Sequence, residues 1–191
     1  MAQVPHHPLV PLSRFRAVSR LPRADRVPHC GHVADNLTVR ALGAGDWVLK
    51  RDLRLAALRD APGAFGATLA DALARDEAGW RRWGSTGAVF AAFSGGRPVG
   101  LAGGVPADGD PTAAELFSMW VDPDARGRGV AAALTDAVVG WARGRGYRRV
   151  WLEVASGNDT ATRTYARYGF APSTRPPRTG CGSTMDLTLA D

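Results

Sequence analysis

The sequence predicts one mixed α+β domain, a central sheet of about seven strands flanked by about four helices. Three observations carry that expectation. The chain has 191 residues, 45% of them hydrophobic, enough for one core without metals or disulfides. Its texture passes from helical periodicity to short apolar runs and back, in the order β-α-α-β-β-β-α-β-α-β-β. A strand ending at Val121 also runs through a glycine-rich turn into an apolar helix.

The elements follow in order. Residues 1–36 hold five of the thirteen prolines, all four histidines and no sustained period. They read as an irregular extension, and the domain is expected over residues 37–191. Residues 37–40 read as a short strand. Asp46 stands where it can cap a helix reaching about Arg59, and Pro62-Gly63 ends that helix. Residues 64–74 fit neither period. A second helix is expected over 76–83, stopped by Gly84. Residues 88–93 and 98–105, joined by Ser94-Gly95-Gly96-Arg97, read as a hairpin. Residues 114–121 add a third strand, ended by Asp122-Pro123. A helix over about 128–143 closes at Gly144 and Gly146. A strand is expected over 149–154. A helix over 160–168 follows, with Asn158 or Asp159 near its cap and Gly169 at its end. Residues 170–171 and 185–189 read as the last strands.

Composition excludes several classes. No apolar run reaches the roughly 18–20 residues of a membrane span, and the first residues lack an apolar signal-peptide core. Two cysteines, Cys30 and Cys181, make no disulfide framework. A cytoplasmic protein is therefore expected. The net charge is +6, from 23 arginines and one lysine, Lys50, against 18 acids. Half of that excess lies in residues 1–36. The remainder is only mildly basic, so nucleic acid is not an expected partner. His29-Cys30-Gly31-His32, with His6 and His7, fits no usual zinc spacing, and no metal is expected. Cys181 sits in a Gly-Cys-Gly turn. A nucleophile there would need a base, yet every histidine lies in the extension.

The informative segment is Val121-Asp-Pro-Asp-Ala-Arg126-Gly-Arg-Gly129-Val-Ala131. The first N–H groups of a helix lack intrahelical partners and sit at the positive end of its dipole. Glycines there let a ligand approach the backbone, so the turn suits a pyrophosphate. A plain connection with exposed arginines is the alternative. Gly127-x-Gly129-x-x-Ala132 also fits the dinucleotide fingerprint, with Glu153 further on. The context disagrees: five residues separate Val121 from Gly127, and too few βα units follow. The sole lysine, Lys50, lies elsewhere, which excludes a Walker A loop.

The same segment resembles the acetyl-CoA-binding signature of the GNAT N-acetyltransferase superfamily, through Arg126, Gly129 and Ala131. A second signature stands downstream: Asn158, Ala161, Tyr165 and Gly169-Phe170. The resemblance covers about residues 37–190. It implies two adjacent parallel strands that splay apart to admit the pantetheine arm. It places backbone groups of Met119, Trp120 and Val121 on that arm, with Asn158 bonding to it. Gly127, Arg128, Gly129, Val130 and Ala131 would hold the pyrophosphate. It implies acetyl-CoA as cosubstrate and Tyr165 as the acid that protonates the departing thiolate. Glu153, twelve residues before Tyr165, resembles the base position of the ribosomal-protein N-terminal acetyltransferase branch. Glu115 is the second candidate for base, and a water chain the third.

The expected activity is therefore transfer of an acetyl group to a primary amine of a small molecule or peptide N-terminus, by a monomer or homodimer. Acetylation of aminoacyl-tRNA and a non-catalytic CoA-binding module are the alternatives. Arg175 and Arg178, before the last strand, suggest an acceptor carrying a carboxylate or phosphate.

Overall fold

The structure is a computed structural model and describes residues 36–178 and 182–189. The expectations for residues 1–35 and for Cys181 lie outside the described residues.

Strand β1 (Leu37–Ala41) leads into helix α1 (Trp47–Asp60). Asp46 stands at the N-cap of α1 as expected. Its carboxylate, however, turns back to accept from the Gly43 N–H at 2.8 Å and from Arg40 at 2.9 Å. Two short helices follow, α2 (Leu69–Leu73) and α3 (Glu77–Arg82). Helix α2 falls in the stretch that showed no clear period. Thr68 caps it, accepting from Asp71 N–H at 3.1 Å while the Asp71 carboxylate accepts from Thr68 N–H at 3.1 Å.

The middle of the chain forms β2 (Ala88–Ser94), β3 (Arg97–Pro106) and β4 (Ala113–Val121), each antiparallel to the one before. Helix α4 (Val130–Gly144) then crosses to β5 (Arg149–Val154), which runs parallel to β4. Helix α5 (Asp159–Tyr168) precedes β6 (Ala171–Pro172) and β7 (Ser183–Thr188). The seven strands lie in the order β1-β2-β3-β4-β5-β7-β6, so β7 inserts between β5 and β6.

Strand alternation divides the core between two faces. On one face Val130, Leu134, Val138, Val139 and Ala142 form the apolar stripe of α4. They pack with Val150, Leu152 and Val154 of β5 and with Tyr165 of α5. Gly104 permits this approach: a Cβ there would stand 2.7 Å from the Trp141 ring. On the other face Leu53 and Ala57 of α1 pack with Val89, Ala91, Leu101 and Trp120.

Candidate active site

The sheet opens at its centre. Strands β4 and β5 pair at Ala113↔Arg149, Ala114↔Val150 and Glu115↔Trp151, and their pairing ends there. Both strands continue, β4 to Val121 and β5 to Val154. A bulge in β4 accompanies the separation. Across from β3, two steps from Leu101 to Gly103 match three from Trp120 to Phe117. Inside that bulge Ser118 takes φ = 56°, a left-handed conformation uncommon for any residue but glycine. Leu101↔Trp120 and Gly100↔Val121 remain paired with β3. The opposite edge of Met119, Trp120 and Val121 therefore borders the wedge.

The glycine turn stands at the end of the same strand. Gly127 (φ = 76°) and Gly129 (φ = 81°) both occupy the left-handed region. Gly129 is the N-cap of α4 and has no side chain to bond the first-turn N–H groups. A Cβ built on either glycine meets no atom within 4 Å, so both face open space. A helix N-terminus with no capping side chain and open glycine positions beside it fits a pyrophosphate.

Arg126 takes another direction. Its Nε donates to the Val121 carbonyl at 3.1 Å, and its guanidinium pairs with the Asp60 carboxylate. Trp120 donates from Nε1 to the same carboxylate at 2.9 Å. Asp60, the last residue of α1, thereby ties that helix to both the end of β4 and the turn. Sequence reasoning did not single out Asp60. Its partners are 60 and 66 residues away, and an exposed acid at a helix end carries no local signal.

Helix α5 contributes two side chains. Asn158 caps it, accepting from Ala161 N–H at 3.1 Å. Tyr165 is buried and meets Phe170 edge-on at 5.5 Å between ring centroids. Burial holds its pKa well above the ordinary 10, so the hydroxyl keeps its proton at neutral pH. Tyr168 has a different task. Its hydroxyl donates to Asp136 at 2.5 Å and joins α5 to α4.

Glu153 and Trp151 alternate with the α4-facing residues of β5, so they lie on the opposite face from Tyr165. The wedge between β4 and β5 joins the two faces. Glu115, across from Trp151, is buried, and Arg178 clasps it with Nη1 at 2.9 Å and Nη2 at 2.5 Å. Burial raises the pKa of Glu115, and the Arg178 charge and hydrogen bonds offset part of that rise. Glu153 accepts from the Arg178 backbone N–H at 3.1 Å, and the guanidinium Nε stands 3.9 Å away. Arg178 and Arg175 both lie over the Trp151 ring, at 5.6 and 4.6 Å from its centroid. The expectation that Arg178 awaits an acceptor anion therefore meets a different arrangement: its charge is matched by Glu115.

Comparison with known proteins agrees with this architecture. Residues 53–170 match the model of the acetyltransferase (GNAT) family. That stretch is more than half of the chain, and the chain belongs to this family. A mycothiol acetyltransferase from Rhodococcus erythropolis is 35% identical over 101 residues, which span 50% of this chain but only 34% of that protein. Among solved structures, yncA from Salmonella typhimurium, determined with its cofactor acetyl-CoA, superposes with a TM-score of 0.66 at 18% identity. It covers 81% of this chain and 95% of its own. The ribosomal-protein-alanine N-acetyltransferase from Brucella melitensis gives 0.62 at 21% identity, covering 80% and 99%. At such identities these two structures speak to the fold. Among the described residues no cluster of His, Cys, Asp and Glu could hold a metal ion, and no helix is long and apolar enough to cross a membrane.

Proposed function

We propose that this protein is an N-acetyltransferase that moves the acetyl group of acetyl-CoA to a primary amine of a small molecule or a peptide N-terminus. The observation that carries the reading is one juxtaposition. The β4–β5 wedge and the open Gly127–Gly129 turn are consecutive along the chain, one shaped for an extended arm and the other for a pyrophosphate. Acetyl-CoA supplies an activated thioester.

The chain's own residues do the rest. Met119, Trp120 and Val121 offer the free edge of β4 as a strand offers its edge to an added peptide. The first N–H groups of α4, from Gly127 to Ala131, receive the phosphates. Asn158 uses its carbonyl oxygen for the α5 cap, so its amide nitrogen is the group that reaches the arm. Tyr165 donates its hydroxyl proton to the thiolate as the C–S bond breaks. Burial keeps this hydroxyl in the protonated form that a donor needs.

Glu153 accepts the proton that the attacking amine sheds as the C–N bond forms. Without an acceptor bound, both oxygens of Glu115 are held by Arg178. The amine arrives on the Glu153 face, the thiolate is met from the Tyr165 face, and the wedge lets them react through the sheet. Thiol release from acetyl-CoA against a panel of amines and peptides tests the activity. With an acceptor found, wild-type rate is expected to rise with pH as the base loses its proton. Glu153→Gln removes that rise while acetyl-CoA affinity stays the same. Full activity and an unchanged profile in this variant would exclude Glu153 as base.

A further inference from the structure

Glu115 is a carboxylate on a rigid strand with its side chain only 6% exposed. A charge in that position needs a cation, because unpaired burial of a carboxylate costs several kcal/mol. The cation it has is Arg178, whose side chain is 55% exposed and comes from the connection before β7. The two partners are therefore unequal. The acid is fixed and buried, whereas the base reaches in from solvent and can return to water at little cost.

The surroundings also suit a cation. Trp151 is buried and its π-face attracts positive charge: the Arg178 guanidinium lies 5.6 Å from the ring centroid and that of Arg175 4.6 Å. Glu153, 13% exposed in its side chain, adds a second carboxylate with one oxygen 3.9 Å from the guanidinium Nε. Position completes the case. Glu115↔Trp151 is the last pair before β4 and β5 separate, so this receptor stands at the apex of the wedge.

We propose that Glu115, Glu153 and Trp151 form a cation receptor and that Arg178 is its internal occupant. The acceptor enters as an alkylammonium cation and displaces the Arg178 side chain from Glu115; the freed Glu115 carboxylate takes one ammonium proton, and the neutral amine that then attacks the thioester sheds its second to Glu153. The inference rests on reading this cleft as the acceptor side of an N-acetyltransferase, and it narrows the acceptor class. Amines with no carboxylate beside the nitrogen are favoured. A free amino acid would bring its α-carboxylate against Glu153 and is disfavoured.

Displacement predicts a cation that binds poorly to the wild type and well once Arg178 is shortened. Methylguanidinium chloride is titrated against wild type, Arg178→Ala and the double variant Arg178→Ala/Glu115→Gln, with thermal melting as readout and potassium chloride as the ionic-strength control. Arg178→Ala is expected to show a saturable rise in Tm. Its half-point lies roughly tenfold or more below that of wild type, since a tethered side chain competes at millimolar effective concentration. The double variant is expected to show none. Equal responses in all three proteins, or no response in Arg178→Ala, would overturn the proposal.

A measurement on the unaltered chain guards against a variant that does not fold. The Arg178 Nε–H resonance of wild type is expected to shift saturably with ethylammonium chloride, and an unmoved resonance contradicts displacement. Neither experiment uses acetyl-CoA. A separate calorimetric titration of wild type with acetyl-CoA tells which reading has failed. Acetyl-CoA binding without cation binding removes only the receptor. Cation binding without acetyl-CoA binding removes the transferase reading and leaves the receptor standing.

Discussion

The two sides of the wedge are built from different materials. On the side of α4 and α5 the candidate contacts are mostly backbone: the free edge of β4, the N–H groups after Gly127, and one cap residue, Asn158. On the other side they are side chains gathered from distant segments, Glu115, Trp151, Glu153 and Arg178. Backbone recognition constrains which residues are permitted, and glycine at φ = 76° and 81° is such a constraint. Side-chain recognition leaves the local sequence free and depends on how the sheet brings remote residues together. One side is thus written into contiguous motifs, and the other exists only in three dimensions.

Three substitutions sharpen this comparison. The largest effect is expected from Tyr165→Phe, which keeps the buried ring on Phe170 and removes the hydroxyl. The rate of acetyl transfer should fall by roughly 10²–10⁴. Acetyl-CoA affinity, measured by calorimetry, should stay near wild type. A matching fall in affinity would make Tyr165 a packing residue instead.

Gly129→Val comes next and attacks the backbone side. A Cβ at this position meets no atom within 4 Å, so the expected costs are the left-handed backbone, about 1–2 kcal/mol, and the intrusion of a side chain into the pyrophosphate space. Acetyl-CoA affinity is expected to drop at least tenfold, while in an Arg178→Ala background the response to methylguanidinium is unchanged by Gly129→Val. Loss of both would mean that the two sides are not independent.

The smallest effect belongs to Glu115, read through pH. Its folded-state pKa lies above the ordinary 4.5, mainly through burial. The folded protein therefore holds more protons than the unfolded chain just above that pH. This group's contribution is fully present below pH 4.5 and is lost as pH rises through the raised pKa. Glu115→Gln removes the titration. The Tm difference between Glu115→Gln and wild type should move in favour of the variant as pH increases from 4.5. A difference independent of pH would show that Arg178 holds Glu115 ionised throughout.

The sequence made the strand-and-helix order legible because apolar periods are local. Strand β5 begins and ends where its Arg-Val-Trp-Leu-Glu-Val run does, and Gly169 ends α5 with φ = 115°. Helix α2 escaped because five residues are too few to show a period, although Thr68 and Asp71 carried its capping signal. The Ser118 bulge had no signal, since serine does not advertise a positive φ. The Asp60–Trp120–Arg126 tie and the Glu115–Arg178 clasp join residues 60 to 66 apart, a distance over which no pattern in one sequence connects them.

We propose that β4 and the α4 turn hold acetyl-CoA through their backbone. A crystal structure of the chain with coenzyme A tests it most directly. Pantetheine amide groups are expected to hydrogen-bond along Met119–Val121 in the β4–β5 wedge, with the pyrophosphate on the N–H groups of residues 127–131. Coenzyme A bound elsewhere, with the wedge empty and the glycine turn uncontacted, would contradict it.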